Sequence, residues 1–171
     1  SSAVAVSRLG MKSFQLTLWA LESPPRQLGD VSVNPYEFDI DSVAYAPDSA
    51  AVAVVSRDGS VRAYDAKTAK LLGQWLTEEP LFSLAFHPSG RWLVVGSAKG
   101  LVTTLAWPAL QFGAEARVHT DEVRALTFAP DGRLFTGSWD RSIAVFASQE
   151  EPQPGDTARI HFDRKGGASQ V

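Results

Sequence analysis

"ALTFAPDGRLFTGSWDRSIAVFA", Ala125 to Ala147, reads as three short strands joined by two tight turns. Leu126 and Phe128 alternate with smaller or polar neighbours, which buries one face of a first strand. Pro130-Asp131-Gly132 is turn chemistry: proline presets φ, and glycine takes a positive φ. Leu134 and Phe135 are apolar at consecutive positions, which suits a strand buried on both faces. Ser138 closes that strand, Asp140-Arg141 turns the chain, and an alternating third strand ends at Phe146.

The same order occurs twice more. "SVAYAPDSAAVAVVSRDGSVRAYD" spans Ser42 to Asp65, and "SLAFHPSGRWLVVGSAKGLVTTLA" spans Ser83 to Ala106. The turn prolines are Pro47, Pro88 and Pro130, so the period is 41 and then 42 residues. The strand-closing serines are Ser56, Ser97 and Ser138, and the second turns are Asp58-Gly59, Lys99-Gly100 and Asp140-Arg141. A period of this size with several short strands per unit is the mark of a repeat architecture. Part of a further copy precedes these. "LTLWAL", Leu16 to Leu21, matches the third strand, and "SSAVAVS", Ser1 to Ser7, matches the second.

On their period, the aromatic-x-Pro-(Asp/Ser)-(Gly/Ser) turn, the closing serine and the Asp-Gly turn, these segments resemble WD40 repeats. The resemblance implies an all-β fold: a β-propeller segment of about four antiparallel four-stranded blades, the first lacking strand a. It covers residues 1–148, divided as a partial blade at 1–36, blades at 37–78 and 79–119, and most of a last blade at 120–148. Fourth strands are expected near Gln27–Val33, Leu71–Leu76 and Phe112–Val118. Residues 149–156 form an acidic, Pro-rich loop. Residues 157–171, with Ala158, Ile160 and Phe162 alternating, are expected to supply a last strand and a tail. Four blades are few for this family. The segment is therefore expected to be part or half of a larger ring, closed by self-association or by a complementing chain.

Composition narrows the functions. The 171 residues carry 16 Lys and Arg against 19 Asp and Glu, a net charge of −3, with no basic block. No duplex-binding nucleic-acid surface is expected, because that requires clustered cations. No apolar run approaches the roughly 18 residues of a membrane helix. The absence of Cys excludes disulfides and thiolate metal sites. His87, His119 and His161 have no zinc spacing, so no metal and no other cofactor is expected. The chain begins with Ser, so targeting is unreadable and cytoplasm is the default expectation.

No catalytic constellation is apparent. Ser97 and Ser138 occupy a repeated slot and lack the Gly-x-Ser-x-Gly frame. The resemblance implies instead a buried structural network in the last blade of His119, Ser138 or Thr136, and Asp140. Phe146 stands where the family has the network's Trp. The namesake dipeptide would fall at Phe146-Ala147, so Trp139-Asp140 is not that signature. The expected function is a non-catalytic protein-interaction scaffold or sensor that binds a protein or peptide partner. Trp139, Arg57, Arg141, Arg124, Phe82 and Glu79 resemble top-face contact positions. The alternatives are the propeller portion of a larger enzyme or a small-ligand-binding propeller.

Overall fold

The computed structural model describes residues 2–8, 14–20, 24, 26–32, 40–147 and 163–164. Among these residues every regular element is a β-strand. The strands form four antiparallel sheets, each following chain order.

The first sheet has three strands: β1 (Ser2–Arg8), β2 (Phe14–Ala20) and β3 (Arg26–Ser32). The second contains β4 (Ile40–Tyr45), β5 (Ala51–Ser56), β6 (Ser60–Asp65) and β7 (Leu71–Leu76). The third contains β8 (Leu81–Phe86), β9 (Trp92–Ser97), β10 (Leu101–Ala106) and β11 (Gln111–Arg117). The fourth contains β12 (Val123–Phe128), β13 (Leu134–Ser138), β14 (Ile143–Ala147) and β15 (Asp163–Arg164). In β15, Arg164 pairs with Phe146 and Asp163 with Ala147. Residues 149–156, along with Ala158, Ile160 and Phe162, lie outside the described residues, and so does His161.

The period-2 side-chain alternation places one apolar layer between the second and third sheets and another between the third and fourth. Ala53, Val55, Val61 and Ala63 of the second sheet meet Leu81, Leu84, Leu93, Val95 and Leu105 of the third. The alternate residues of β9 and β10, Trp92, Val94 and Val102, point the other way. They pack on Val123, Leu134, Ala144 and Phe146 of the fourth sheet. Strands β5 and β9 are therefore buried along their whole length.

Strand β13 departs from the expectation of burial on both faces. Leu134 and Thr136 are buried, but Phe135 is only half-buried, beneath the Arg133 guanidinium. Ala125 and Thr127 on β12 and Ile143 at the start of β14 are exposed on the same face. The physical reason is that no further sheet packs there among the described residues. The exposure of Phe135 depends on a neighbour, which local sequence does not report.

One local feature repeats three times. Ladder register shifts between Ile40 and Ser42, between Leu81 and Ser83, and between Val123 and Ala125. Each shift is a β-bulge that leaves one extra residue on the first strand of its sheet. Those residues are Asp41, Phe82 and Arg124. A bulge re-aims its extra side chain out of the ladder.

Candidate functional site: an arginine–aromatic row at one end of three sheets

The three bulges lie at the same end of their sheets and place their residues in a row. Arg57, just beyond β5, closes one end. Its Nε donates to both carboxylate oxygens of Asp41 at 3.1 Å, and its guanidinium sits 5.4 Å from the Phe82 ring centroid. The Arg124 guanidinium lies 4.0 Å from the Phe82 centroid and 4.2 Å from that of Trp139. Arg124 Nε also donates to Glu122 at 2.7 Å. Arg124 is thus held between two rings and steered at its edge by a carboxylate. Cations over aromatic faces gain about 0.5–1 kcal/mol each when exposed.

Four of the six surface positions read from sequence, Arg57, Phe82, Arg124 and Trp139, therefore meet in one row. Glu79 lies beside them, paired with Lys99. Arg141 is exposed in the same turn as Trp139. One correction concerns Phe82. It is only 8% exposed, because arginines from the two neighbouring sheets roof its ring. It is the floor of the row. Trp139 is 60% exposed, with one ring face on Arg124 and its backbone N–H donating to Glu122 O at 3.1 Å. Asp41, Glu122 and Lys99 were missed in the sequence. The available signal was an acidic residue beside the start of the first strand in two of the repeats.

Beneath the row lies a buried polar network. The His119 side chain is fully buried. Its Nδ1 is 3.0 Å from Asp140 Oδ2 and 2.9 Å from Ser142 Oγ. Its Nε2 is 2.7 Å from Thr136 Oγ1. Asp140 Oδ2 also accepts from the Thr120 N–H, and Oδ1 accepts from the Ser142 N–H and hydroxyl. A carboxylate only accepts, so His119 Nδ1 carries a hydrogen. Of the two hydroxyls considered from sequence, Thr136 reaches His119 and Ser138 does not. Ser138 sits at the turn itself. Its hydroxyl donates to Asp121 O and accepts from the Asp140 N–H, each at 3.1 Å. Ser142 was also missed, although Asp-x-Ser recurs at Asp58-Gly59-Ser60. There Ser60 binds Asp58 Oδ1 in the same way, and Arg62 takes the other oxygen at 3.0 Å.

Desolvation pushes the Asp140 carboxyl up. The hydrogen bonds from Ser142, Thr120 and His119 outweigh it and hold the group well below the usual carboxylate range. A depressed folded-state value gives stability that is present above the unfolded value, near pH 4, and is lost as pH falls below it. Melting temperature measured from pH 7 to pH 3 is expected to fall more steeply for the native chain than for Asp140→Asn. Parallel curves would show that Asp140 carries none of the acid sensitivity.

Backbone strain marks the same turn. Gly59 and Gly100 have φ of 80° and 77°, and Arg141, the equivalent residue, has φ of 69°. A Cβ at Gly59 or Gly100 would lie 2.0 Å from Thr77 O or 2.1 Å from His119 O. Glycine is therefore required there, whereas Arg141 occupies the left-handed region at a cost of roughly 1 kcal/mol. Arg141→Gly is expected to raise stability by up to about 1 kcal/mol in thermal or urea unfolding. A destabilised variant would show that the arginine side chain supports the fold.

The other histidine described, His87, stacks on Trp92 at 4.2 Å and meets Ser89 Oγ through Nδ1 at 2.7 Å. Among the described residues no group of three or more His, Asp or Glu side chains is placed to hold a metal ion.

Successive four-stranded antiparallel sheets packed face to face, with an arginine–aromatic row at one end, define a β-propeller segment. A family model described as "WD domain, G-beta repeat" matches residues 32–65, 69–108 and 113–146, more than half of the chain. The chain belongs to the WD40 repeat family. It is 33% identical over 126 residues to the guanine nucleotide-binding protein subunit beta of Oryza sativa subsp. indica. It is 31% identical over 123 residues to the protein of the same name from Arabidopsis thaliana. Each alignment covers 66% of this chain and 33% of the relative, so the chain spans about a third of the length of these relatives. Among solved structures it is similar to Sqt1 from Chaetomium thermophilum, with a TM-score of 0.72 at 23% identity. That match covers 85% of this chain and 40% of Sqt1. Another such structure shows Sqt1 bound to the N-terminus of the ribosomal protein L10, also with a TM-score of 0.72.

Proposed function

We propose that this chain is a protein-interaction segment of a propeller, and that it binds a peptide or protein segment across the Arg57–Phe82–Arg124–Trp139 row. The observation that carries this reading is the exposed Trp139 ring, held in place by Arg124 rather than buried in a core. Solvent-exposed aromatic and arginine side chains on a rigid scaffold are the commonest binding anchors. Sqt1, of the same fold, binds a protein N-terminus. Random twelve-residue peptides displayed on phage and selected on the full chain provide the test. The expected outcome is an enriched sequence family that binds the native chain and not Trp139→Ala. Enrichment no greater than on bare support would remove this reading.

We propose also that further sheets complete the ring, from another stretch of a longer protein or from another chain. The face bearing Ala125, Thr127, Phe135 and Ile143 supports this, because it is the kind of face that the other sheets bury. Light scattering on the 171-residue chain is expected to show association that Ile143→Asp weakens. A monomer unaffected by that change would count against completion by a second chain.

A further inference from the structure

The partner's charge can be read from how the ion pairs of the row are layered, and the inference rests on the binding reading above. Three cation–carboxylate pairs surround the row. In each, the cation is the more exposed member. Arg57 is 53% exposed over an Asp41 that is 10% exposed, Lys99 63% over Glu79 20%, and Arg124 30% over Glu122 23%. Asp41 and Glu79 lie beneath and hold their cations outward, whereas Glu122 and Arg124 are exposed nearly alike. Each pair is neutral in sum, yet at the Arg57 and Lys99 pairs the group that faces a partner is the cation, with Glu78 and Asp121 the exposed carboxylates next to the row. Arg141 adds a fourth cation, exposed and without an ion-pair or side-chain hydrogen-bond partner among the described residues. It keeps a left-handed φ where the other two repeats have glycine. A strained, exposed arginine beside an exposed tryptophan is poorly explained by folding alone.

We infer that the row takes an acidic segment of a protein partner, in which a large apolar side chain lies on Trp139 and flanking carboxylates meet Arg141, Arg57 and Lys99. Guanidinium groups favour carboxylates because their planar donors match both oxygens. On a chain of net charge −3, Arg57, Lys99 and Arg141 are exposed cations gathered at one end of the sheets. Such a local field orients an acidic ligand toward one end of the sheets.

Fluorescein-labelled twelve-residue peptides with one Phe-Leu centre, flanked by Glu, Gln or Lys, test the assignment by anisotropy on the full chain. A labelled oligouridylate serves as a fourth probe. The Glu peptide is expected to bind at least ten-fold more tightly than the Gln and Lys peptides, with affinity falling as salt rises. Trp139→Ala is expected to weaken the Glu peptide about ten-fold. Arg141→Gly, which suits the backbone, is expected to reduce the preference for Glu over Gln several-fold while the chain stays folded. Equal binding of the Gln peptide, preference for the Lys peptide, or tighter Trp139-dependent binding of the oligouridylate would each overturn the acidic assignment. So would no binding by any probe. Enrichment of neutral or basic sequences in the phage selection would leave the binding reading standing while the acidic assignment falls.

Discussion

Replacing His119 with alanine is expected to lower stability by about 3 kcal/mol, the cost of opening a buried network. The imidazole links three segments: the loop before β12, Thr136 on β13, and the Asp140–Ser142 turn before β14. Its removal leaves Thr136 Oγ1 buried without its ring partner and opens a void against a side chain that had no exposure. An unsatisfied buried hydroxyl alone costs about 1–3 kcal/mol, and the void adds to that. For a chain of this size the melting temperature should fall by roughly 6–12 °C. His119→Asn is expected to recover part of the loss by restoring one polar contact. If His119→Ala melted with the native chain, the network would not hold the fourth sheet together.

Gly96→Val is expected to cost about as much, through sterics rather than polarity. Gly96 lies on β9, where the third sheet faces Val123 of the fourth. An added Cβ would lie 2.5 Å from Ser83 Oγ and 2.7 Å from both Cβ and Cγ1 of Val123. Ser83 Oγ donates to Val123 O at 2.7 Å, a buried hydrogen bond from one sheet to the next. A valine must push β12 away and break that bond, at a cost of about 3 kcal/mol. Gly73→Ala is the matched control. No atom lies within 4 Å of its added Cβ, so its stability should hold or rise slightly. Urea unfolding of the two variants separates crowding from glycine flexibility. Equal midpoints would show that the sheets are not in contact at Gly96.

Most of the fold is legible in the sequence because each repeat states the same local chemistry. The left-handed residues Gly90 and Gly132 fall in the proline turns, and Ser49 adopts the same conformation in the turn after Pro47. The inner strands announce themselves by buried apolar runs. The outer strands do so more faintly, since Leu71, Leu72 and Phe112 are exposed and the alternation no longer reports burial. The expected outer strands nonetheless lie within one residue of Arg26–Ser32, Leu71–Leu76 and Gln111–Arg117.

The candidate site is legible only in part. His119 and Asp140 are both marked by their place in the repeat. Thr136 and Ser138 lie two residues apart on one strand, so only the observed depth of each separates the ring's partner from the turn's cap. The row is harder to see. Arg124 meets Phe82 because two bulges, a repeat apart, turn their extra residues toward the same place. A bulge changes register without changing the apolar pattern on either side, so alternation does not disclose it.

Calorimetric titration of the tightest phage-selected peptide into the native chain and Trp139→Ala, with both melting temperatures recorded, tests the recognition row most directly. Trp139 forms one exposed cation–π contact, so its loss should lower the melting temperature by no more than about 4 °C. As a binding anchor it should carry at least a ten-fold change in dissociation constant. Weaker binding on a nearly unchanged fold is the expected result. An unchanged dissociation constant, or a melting temperature that falls as far as in His119→Ala, would make Trp139 a structural cover and contradict the assignment of this face.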